Sequence, residues 1–492
     1  MNQPDPGPAG ATGVLEHPDA PSSISSPRTH AATTPVRPSR DPLVRIFVRQ
    51  VLVALGMTGD HGPKSSNWQA LAHPKFRWYF IGSVTSNFGT WLQNTAQVVL
   101  AYQLTHSVFA VGLVTCAQFT SPLLLGPWAA VLTHRIGNWR ALIVTQIAST
   151  AIAATLAALK FSGALTIDWL FAGALAIGLA FTFALPAMSV MVAGLFSDNE
   201  NEHERARAVK QAMAMDSVSY NLGRALAPAI SILIFTIVGF GLAFALNAGS
   251  FFLFTLVLLY LRPRVKQQVP NRSRVMNGLH IALKEPRVMV LLMMVAAITV
   301  ASDPILVLGP ALAGHIFHSS ADWSGVFIAA LGAGNVIGSL RPRRPPSIRR
   351  VAAVLGMLAL AMMVFSAAPS IWLSIAAAFG VGMACLVAGA TARSLLIGCA
   401  GDDVKRQAAI MAAWAVAWAG SKPIASLADG SLAGVIGVRA TGILLAVPAL
   451  LPALILVLRP QIDNLSCAAR WSAWARWSAW LDGAKGIGTA HS

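Results

Sequence analysis

Ser83-Val-Thr-Ser-Asn-Phe-Gly-Thr-Trp-Leu-Gln-Asn-Thr-Ala-Gln-Val-Val-Leu-Ala101 decides how this chain is read. It lies inside a long apolar run, so its hydropathy predicts a helix that crosses a membrane. At 100° per residue, Ser83, Ser86, Asn87, Thr90, Gln93, Asn94 and Gln97 share about a third of the circumference. Ile81, Val84, Phe88, Leu92 and Val99 take much of the opposite side. A stripe with four amides is unsuited to lipid, because polar groups in hydrocarbon need partners or water. Either it lines a polar cavity through the membrane, or it bonds neighbouring helices as packing glue.

The apolar pattern recurs along the 492 residues, of which 55% are hydrophobic and 11% charged, with a mean hydropathy of +0.62. A soluble chain carries about a quarter charged residues. Composition therefore predicts an all-α polytopic membrane protein. Cys116, Cys385, Cys399 and Cys467 show no paired spacing, so neither a disulfide framework nor a metal site is expected. The net charge of +17 suits an anionic bilayer surface better than nucleic acid.

Twelve spans are predicted in two sets of six. The first set runs near 77–103, 108–132, 141–160, 168–194, 209–235 and 240–261. The second runs near 288–310, 323–340, 351–367, 371–398, 409–430 and 437–458. The expected organisation is a six-helix half over 73–261, a basic cytoplasmic linker over 262–287 and a second half over 288–459. Residues 1–72, rich in Pro, Ser, Ala and Thr, read as a disordered arm. Within it 41–57 is a candidate interfacial helix, with Val44, Phe47, Val48, Val51 and Leu55 at helical spacing. Met1–Gly10 has neither a basic n-region nor an apolar core, so no secretory signal is expected there. The tail over 460–492 repeats Ala-Arg-Trp-Ser-Ala-Trp from Ala469 and again from Ala475, a pattern for the headgroup layer, with nucleic-acid stacking as the competing reading.

The loops give an orientation. With the N-terminus inside, the five inner loops hold 19 Lys and Arg, Arg135, Arg140 and Lys210 among them, and the outer loops two, Lys160 and Arg439. That asymmetry predicts both termini in the cytoplasm. No Walker A, HExxH, CxxC or GxSxG pattern occurs, so no enzyme and no cofactor is implied, and an ion gradient is the expected source of energy. Gly334 and Gly338, four apart within a span, read as close helix packing.

Three places resemble the transmembrane secretion effector branch of the major facilitator superfamily, which includes macrolide-type drug exporters and enterobactin-type siderophore exporters. They are Ser86–Gln93 with Leu104–Ser107, Leu124–Trp128, and Asn221–Arg224 with Ala227–Ala229. The resemblance covers about residues 73–460 and implies twelve helices in two halves, and export of small molecules across a bacterial cytoplasmic membrane. The superfamily's loop signature, Gly-x-x-x-Asp-Arg-x-Gly-Arg-Arg, keeps Arg135 and Gly137 here, with His134 in place of the acid and Ala130 in place of the first glycine. The conformational latch attributed to that acid thus lacks its carboxylate.

Six ionisable residues fall inside spans, namely Asp216, Arg224, Asp303, Arg393, Lys422 and Asp429, and each is a functional candidate because a charge in the membrane is costly. By depth, Arg224 is expected opposite Asp303, and Asp216 near Arg393, while Asp429 is expected to be solvated. Asp303, before the helix-breaking Pro304, is the first candidate for a proton carrier, with Arg224 and Asp216 as further coupling candidates. Trp414, Trp418 and Lys422 stand four apart on one face and suit a flat amphipathic ligand. With Asn87, Thr90, Trp91, Asn94, Gln97 and Gln118 they form the expected substrate walls. The resulting reading is a proton-coupled exporter of small amphipathic molecules, its partners a substrate, protons and the bilayer, with no oligomer implied. A dedicated siderophore or secondary-metabolite exporter, and a non-transporting scaffold or sensor, are the alternatives.

Overall fold

The computed structural model describes residues 67–197, 201–262, 280–281, 284–339, 345–401 and 403–458. The candidate interfacial helix over 41–57, most of the linker and the Trp/Arg tail lie outside the described residues. Asn67–Ala72, the end of the arm read as disordered, forms a 3-10 turn instead, because Ala70 is buried beside Phe76 in the core of the first half.

Twelve long helices follow in order among the described residues. In the first half they are α1 (Pro74–Thr105), α2 (Val108–Ile136), α3 (Asn138–Phe161), α4 (Ile167–Gly194), α5 (Glu202–Ile237) and α6 (Phe240–Leu261). In the second they are α7 (Pro286–Ser302), α8 (Ser324–Ser339), α9 (Ile348–Ala367), α10 (Ile371–Ala400), α11 (Val404–Ile436) and α12 (Val438–Leu458). Local chemistry sets their ends. Pro74 opens α1, where its missing N–H is no loss. Ser107, Asn201, Ser347 and Ser370 cap α2, α5, α9 and α10 with side-chain oxygens. Gly137, at φ 96°, turns the chain between α2 and α3 in a conformation that a side chain resists.

Among the described residues, eight stretches are long and apolar enough to cross a membrane unaided, in α2, α3, α4, α6, α9, α10, α12 and α7 with its extension to Val307. The sequences of α1, α5 and α11 are more polar, and α8 has only 16 residues. Those four lean on their neighbours. In the first half α1 packs on α5 and α6, α2 on α4, and α3 on α4 and α6. The second half repeats the scheme, α7 on α11 and α12, α8 on α10, and α9 on α10 and α12. The repeat extends to backbone detail: Gly178 of α4 lies against the Gln118 carbonyl of α2, and Gly382 of α10 against the Leu331 carbonyl of α8. Gly334 and Gly338 do face the α10 backbone, at Phe379 and Met383.

The halves meet along α2–α11 and α5–α8. We call the end where α1 begins the near end and the end where it stops the far end. At the far end one apolar cluster takes residues from both halves, Trp91, Leu92, Tyr102, Val111 and Val114 with Val307, Leu308, Ala311 and Ala433. There the backbones of α2 and α11 touch: a Cβ on Gly112 would lie 3.2 Å from Gly430 Cα, and one on Gly430 2.9 Å from Phe109 Cα. Gln103 of α1 donates to Asp322 across the same end at 3.1 Å.

Beyond Ser302, α7 loses its regular ladder. It continues as Pro304–Val307, Gly309–Ala311 and a π turn over Leu312–Ile316. Pro304 and Pro310 each remove a backbone donor, which accounts for the interruptions.

Candidate functional site

At the interruption of α7 lies Asp303, 4% exposed. Its Oδ1 is 3.6 Å from Lys422 Nζ of α11, and its Oδ2 accepts from Ser426 Oγ at 2.6 Å. Ser426 Oγ also lies 2.9 Å from the Lys422 carbonyl one turn back, so its one hydrogen is shared between that carbonyl and the shorter bond to Asp303. Phe119, from α2 in the other half, places its ring 4.5 Å from Lys422 Nζ. A partly buried cation is thus balanced by one carboxylate and one aromatic face, each on a different helix. This corrects the depth-matched pairing, since Asp303 pairs with Lys422 and Arg224 turns to Trp91 instead.

Below this pair, on the same face of α11, Trp414 and Trp418 stack with centroids 6.0 Å apart and planes 18° from parallel. Arg393 of α10 lies over Trp414 at 5.0 Å. Thr299 of α7 fixes this level by donating to the Trp418 carbonyl at 3.3 Å. The indole nitrogen of Trp414 is buried without a partner among the described residues. Arg393 was expected near Asp216, but Asp216 accepts from Ser83 at 3.1 Å. Missing from the expected wall, Arg393 joins it as a cation on the aromatic ladder. Its position inside an otherwise apolar span was the available signal.

The polar stripe of α1 divides between the two readings given for it. Ser83 and Asn87 bond to α5, Asn87 Nδ2 donating to Ser219 at 2.9 Å. Gln93 accepts from Asn247 of α6 at 2.7 Å and is packing glue, and Thr90 bonds the Ser86 carbonyl of its own helix. Asn94 accepts from Gln118 Nε2 of α2 at 2.9 Å, which joins two residues of the expected wall. Gln97 is buried, and both ends of its amide lack partners among the described residues. Trp91 is also buried, flanked by Arg224 at 5.6 Å and by Tyr220 edge-on at 5.8 Å.

Two further residues fall away from their expected surroundings or stay within them. Asp429 is fully buried, not solvated, because α2 and the interrupted end of α7 cover the far part of α11. Arg135 is exposed beside the Gly137 turn at the near end. The described residues hold no group of three or more His, Cys, Asp or Glu arranged for a metal ion.

Two matched bundles, a cation–carboxylate pair between helices and aromatic faces beside it can hold a small solute at their junction. The family model described as transmembrane secretion effector matches residues 65–480. No curated protein matches the chain. Among solved structures, a bacterial homologue of the human lysosomal transporter Spinster, inward-facing and unoccupied, is similar at TM-score 0.61 and 12% identity, over 79% of this chain and 98% of that one. The nucleoside transporter NupG is similar at TM-score 0.61 and 11% identity, over 79% and 99%. The human organic anion transporter MFSD10 is similar at 0.54 and 13%, over 78% and 99%. At these identities the likeness is one of fold.

Proposed function

The chain belongs to the transmembrane secretion effector family, a multi-pass membrane transporter of the major facilitator superfamily, and from that premise we propose that it exports small amphipathic organic molecules by alternating access between its halves. The observation that carries this reading is the Asp303–Lys422–Ser426 cluster with Phe119 of the opposite half against it. Charges are kept in a membrane interior at a cost, and a pair that both halves enclose is suited to a cycle in which they move. The stacked Trp414 and Trp418, with Arg393 over the first, favour a flat solute bearing negative charge. In this reading Asn94 and Gln118, bonded to each other, form the polar side of the path, with Trp91 and Arg224 at its margin.

The drive in this proposal is proton antiport through Asp303. The membrane is the bacterial cytoplasmic membrane, with both termini and the near end on the cytoplasmic side, following the excess of basic residues in the inner loops. The closed contacts of the far end would then belong to a state shut towards the outside.

The test uses inside-out vesicles from cells expressing the full chain, with naphthalene-2-sulfonate and ethidium as anionic and cationic flat probes. Gradient-dependent accumulation of naphthalene-2-sulfonate above that of empty-vector vesicles is expected. Accumulation that survives collapse of the pH gradient would remove proton coupling, and no accumulation of either probe would remove the substrate class.

A further inference from the structure

Asp429 has no role in the cluster just described, yet its surroundings are unusual. It is 0% exposed, and neither of its carboxyl oxygens has a hydrogen-bond partner among the described residues. It lies on α11 seven residues after Lys422 and three after Ser426, offsets that at 100° per residue bring all three within one narrow face. Ser426, one turn before it on this face, bonds Asp303, which brings a second carboxylate to the same side of α11. Gly430, the next residue, sits against Phe109 of α2 where the halves close at the far end.

The groups around it sharpen the point. On its own helix the nearest cation along this face is Lys422, already engaged by Asp303. On α7 and its continuation the titratable groups are Asp303, of the same sign, Arg287 in the first turn at the opposite end, and His315, whose ring meets that of Tyr102 edge-on at 5.9 Å. The stretch of α2 from Val108 to Gln118 offers only the Cys116 thiol. On α12, Arg439 is occupied with the Ala368 carbonyl at 2.9 Å. A negative charge on Asp429 would therefore be buried, unbalanced and next to a second carboxylate, a combination that folded proteins avoid. A proton on the carboxyl removes the conflict. Parting of α2 from α11 at the far end would open this position to water and remove the reason for holding that proton.

We propose that Asp429 is a second proton-binding site of this transporter, in series along α11 with the Asp303–Ser426–Lys422 cluster. Its part in the cycle rests on the proton-coupled reading above; its binding of a proton does not. In the step, the O–H bond of the Asp429 carboxyl breaks on far-end opening and its proton passes to water, and the reverse occurs on closing. No other bond changes and no electron moves.

The test keeps these claims apart. Full-length protein in proteoliposomes is treated with dicyclohexylcarbodiimide, which adds to carboxyls that hold a proton in apolar surroundings, and adducts are located by peptide mass spectrometry between pH 5 and 9. An Asp429 adduct that falls at least tenfold as the pH rises, and persists in Asp303→Asn, is expected. No adduct at Asp429, or a yield flat with pH, overturns the proposal. The same reaction on Asp429→Asn must lose that adduct. Proton-driven flux of naphthalene-2-sulfonate is measured alongside. Gradient-insensitive flux with pH-dependent labelling would retire the coupling reading and leave the proton site standing.

Discussion

Replacing Asp303 by Asn tests the centre of the molecule with a number. The wild-type pair is 3.6 Å apart, with the lysine side chain 20% and the aspartate side chain 2% exposed. At an effective dielectric of about 20, two unit charges at that distance attract by roughly 4–5 kcal/mol. Removing one partner of a buried pair costs about 3–5 kcal/mol by experience with such pairs, so the two routes agree. Part of the loss is offset, since Lys422 keeps the Phe119 ring at 4.5 Å, an interaction of about 2 kcal/mol when desolvated. The expected destabilisation of Asp303→Asn is about 3 kcal/mol. Lys422→Met in the same background should restore most of it, because the uncompensated cation is then gone. The assay is unfolding of purified protein in detergent for wild type, both single variants and the double, read as a double-mutant cycle. A coupling above about 2 kcal/mol is expected. Single variants that each lose under 1 kcal/mol and simply add would refute the reasoning.

Three other outcomes follow from the geometry. Asn94→Leu leaves the Gln118 amide without its acceptor, a loss of about 1–3 kcal/mol in stability together with reduced flux of naphthalene-2-sulfonate; unchanged flux would assign the whole stripe to packing. Trp414→Ala removes the stacked face and the ring under Arg393, and should weaken binding of the same probe roughly 2- to 12-fold by titration calorimetry. Gly430→Leu drives a side chain into the Phe109 backbone and should hold the far end apart, seen as faster reaction of a Val111→Cys thiol, buried in the closed far end, with an impermeant maleimide; no change would mean that the contact with α2 is not what closes that end.

Much of this was legible in the residues. The twelve helices follow from apolar runs, and the break of α7 from Pro304 directly after Asp303. The i, i+4 spacing of Trp414, Trp418 and Lys422 put them on one face, and that is a property of a single helix. Pairing across helices was not legible. Depth supplies one coordinate, whereas a partner needs the neighbour's identity and its rotation as well, and so Asp303 was matched with Arg224 although α11 offers Lys422 on the abutting face. Asp429 was misjudged for a related reason. Nearness to a helix end means water only if no other segment covers that end, and the continuation of α7 is a local departure from helix that hydropathy does not register. Gln93 shows the limit of the stripe itself, since the polar face of α1 is wide enough to meet α6 as well as the interior.

The ring of Phe119 has a consequence for the bilayer around the protein. Because it comes from one half and Lys422 from the other, the electrical environment of that ammonium varies with the tilt between the bundles. A change of charge at the pair therefore alters a contact that both bundles share. In the proposed proton-coupled cycle, reciprocity then requires that a tilt imposed from outside, by lateral tension or by a thinner hydrocarbon slab, alters the affinity of the pair for a proton. The lipid composition of the host membrane would then be a parameter of that proposed cycle, acting through a single aromatic contact.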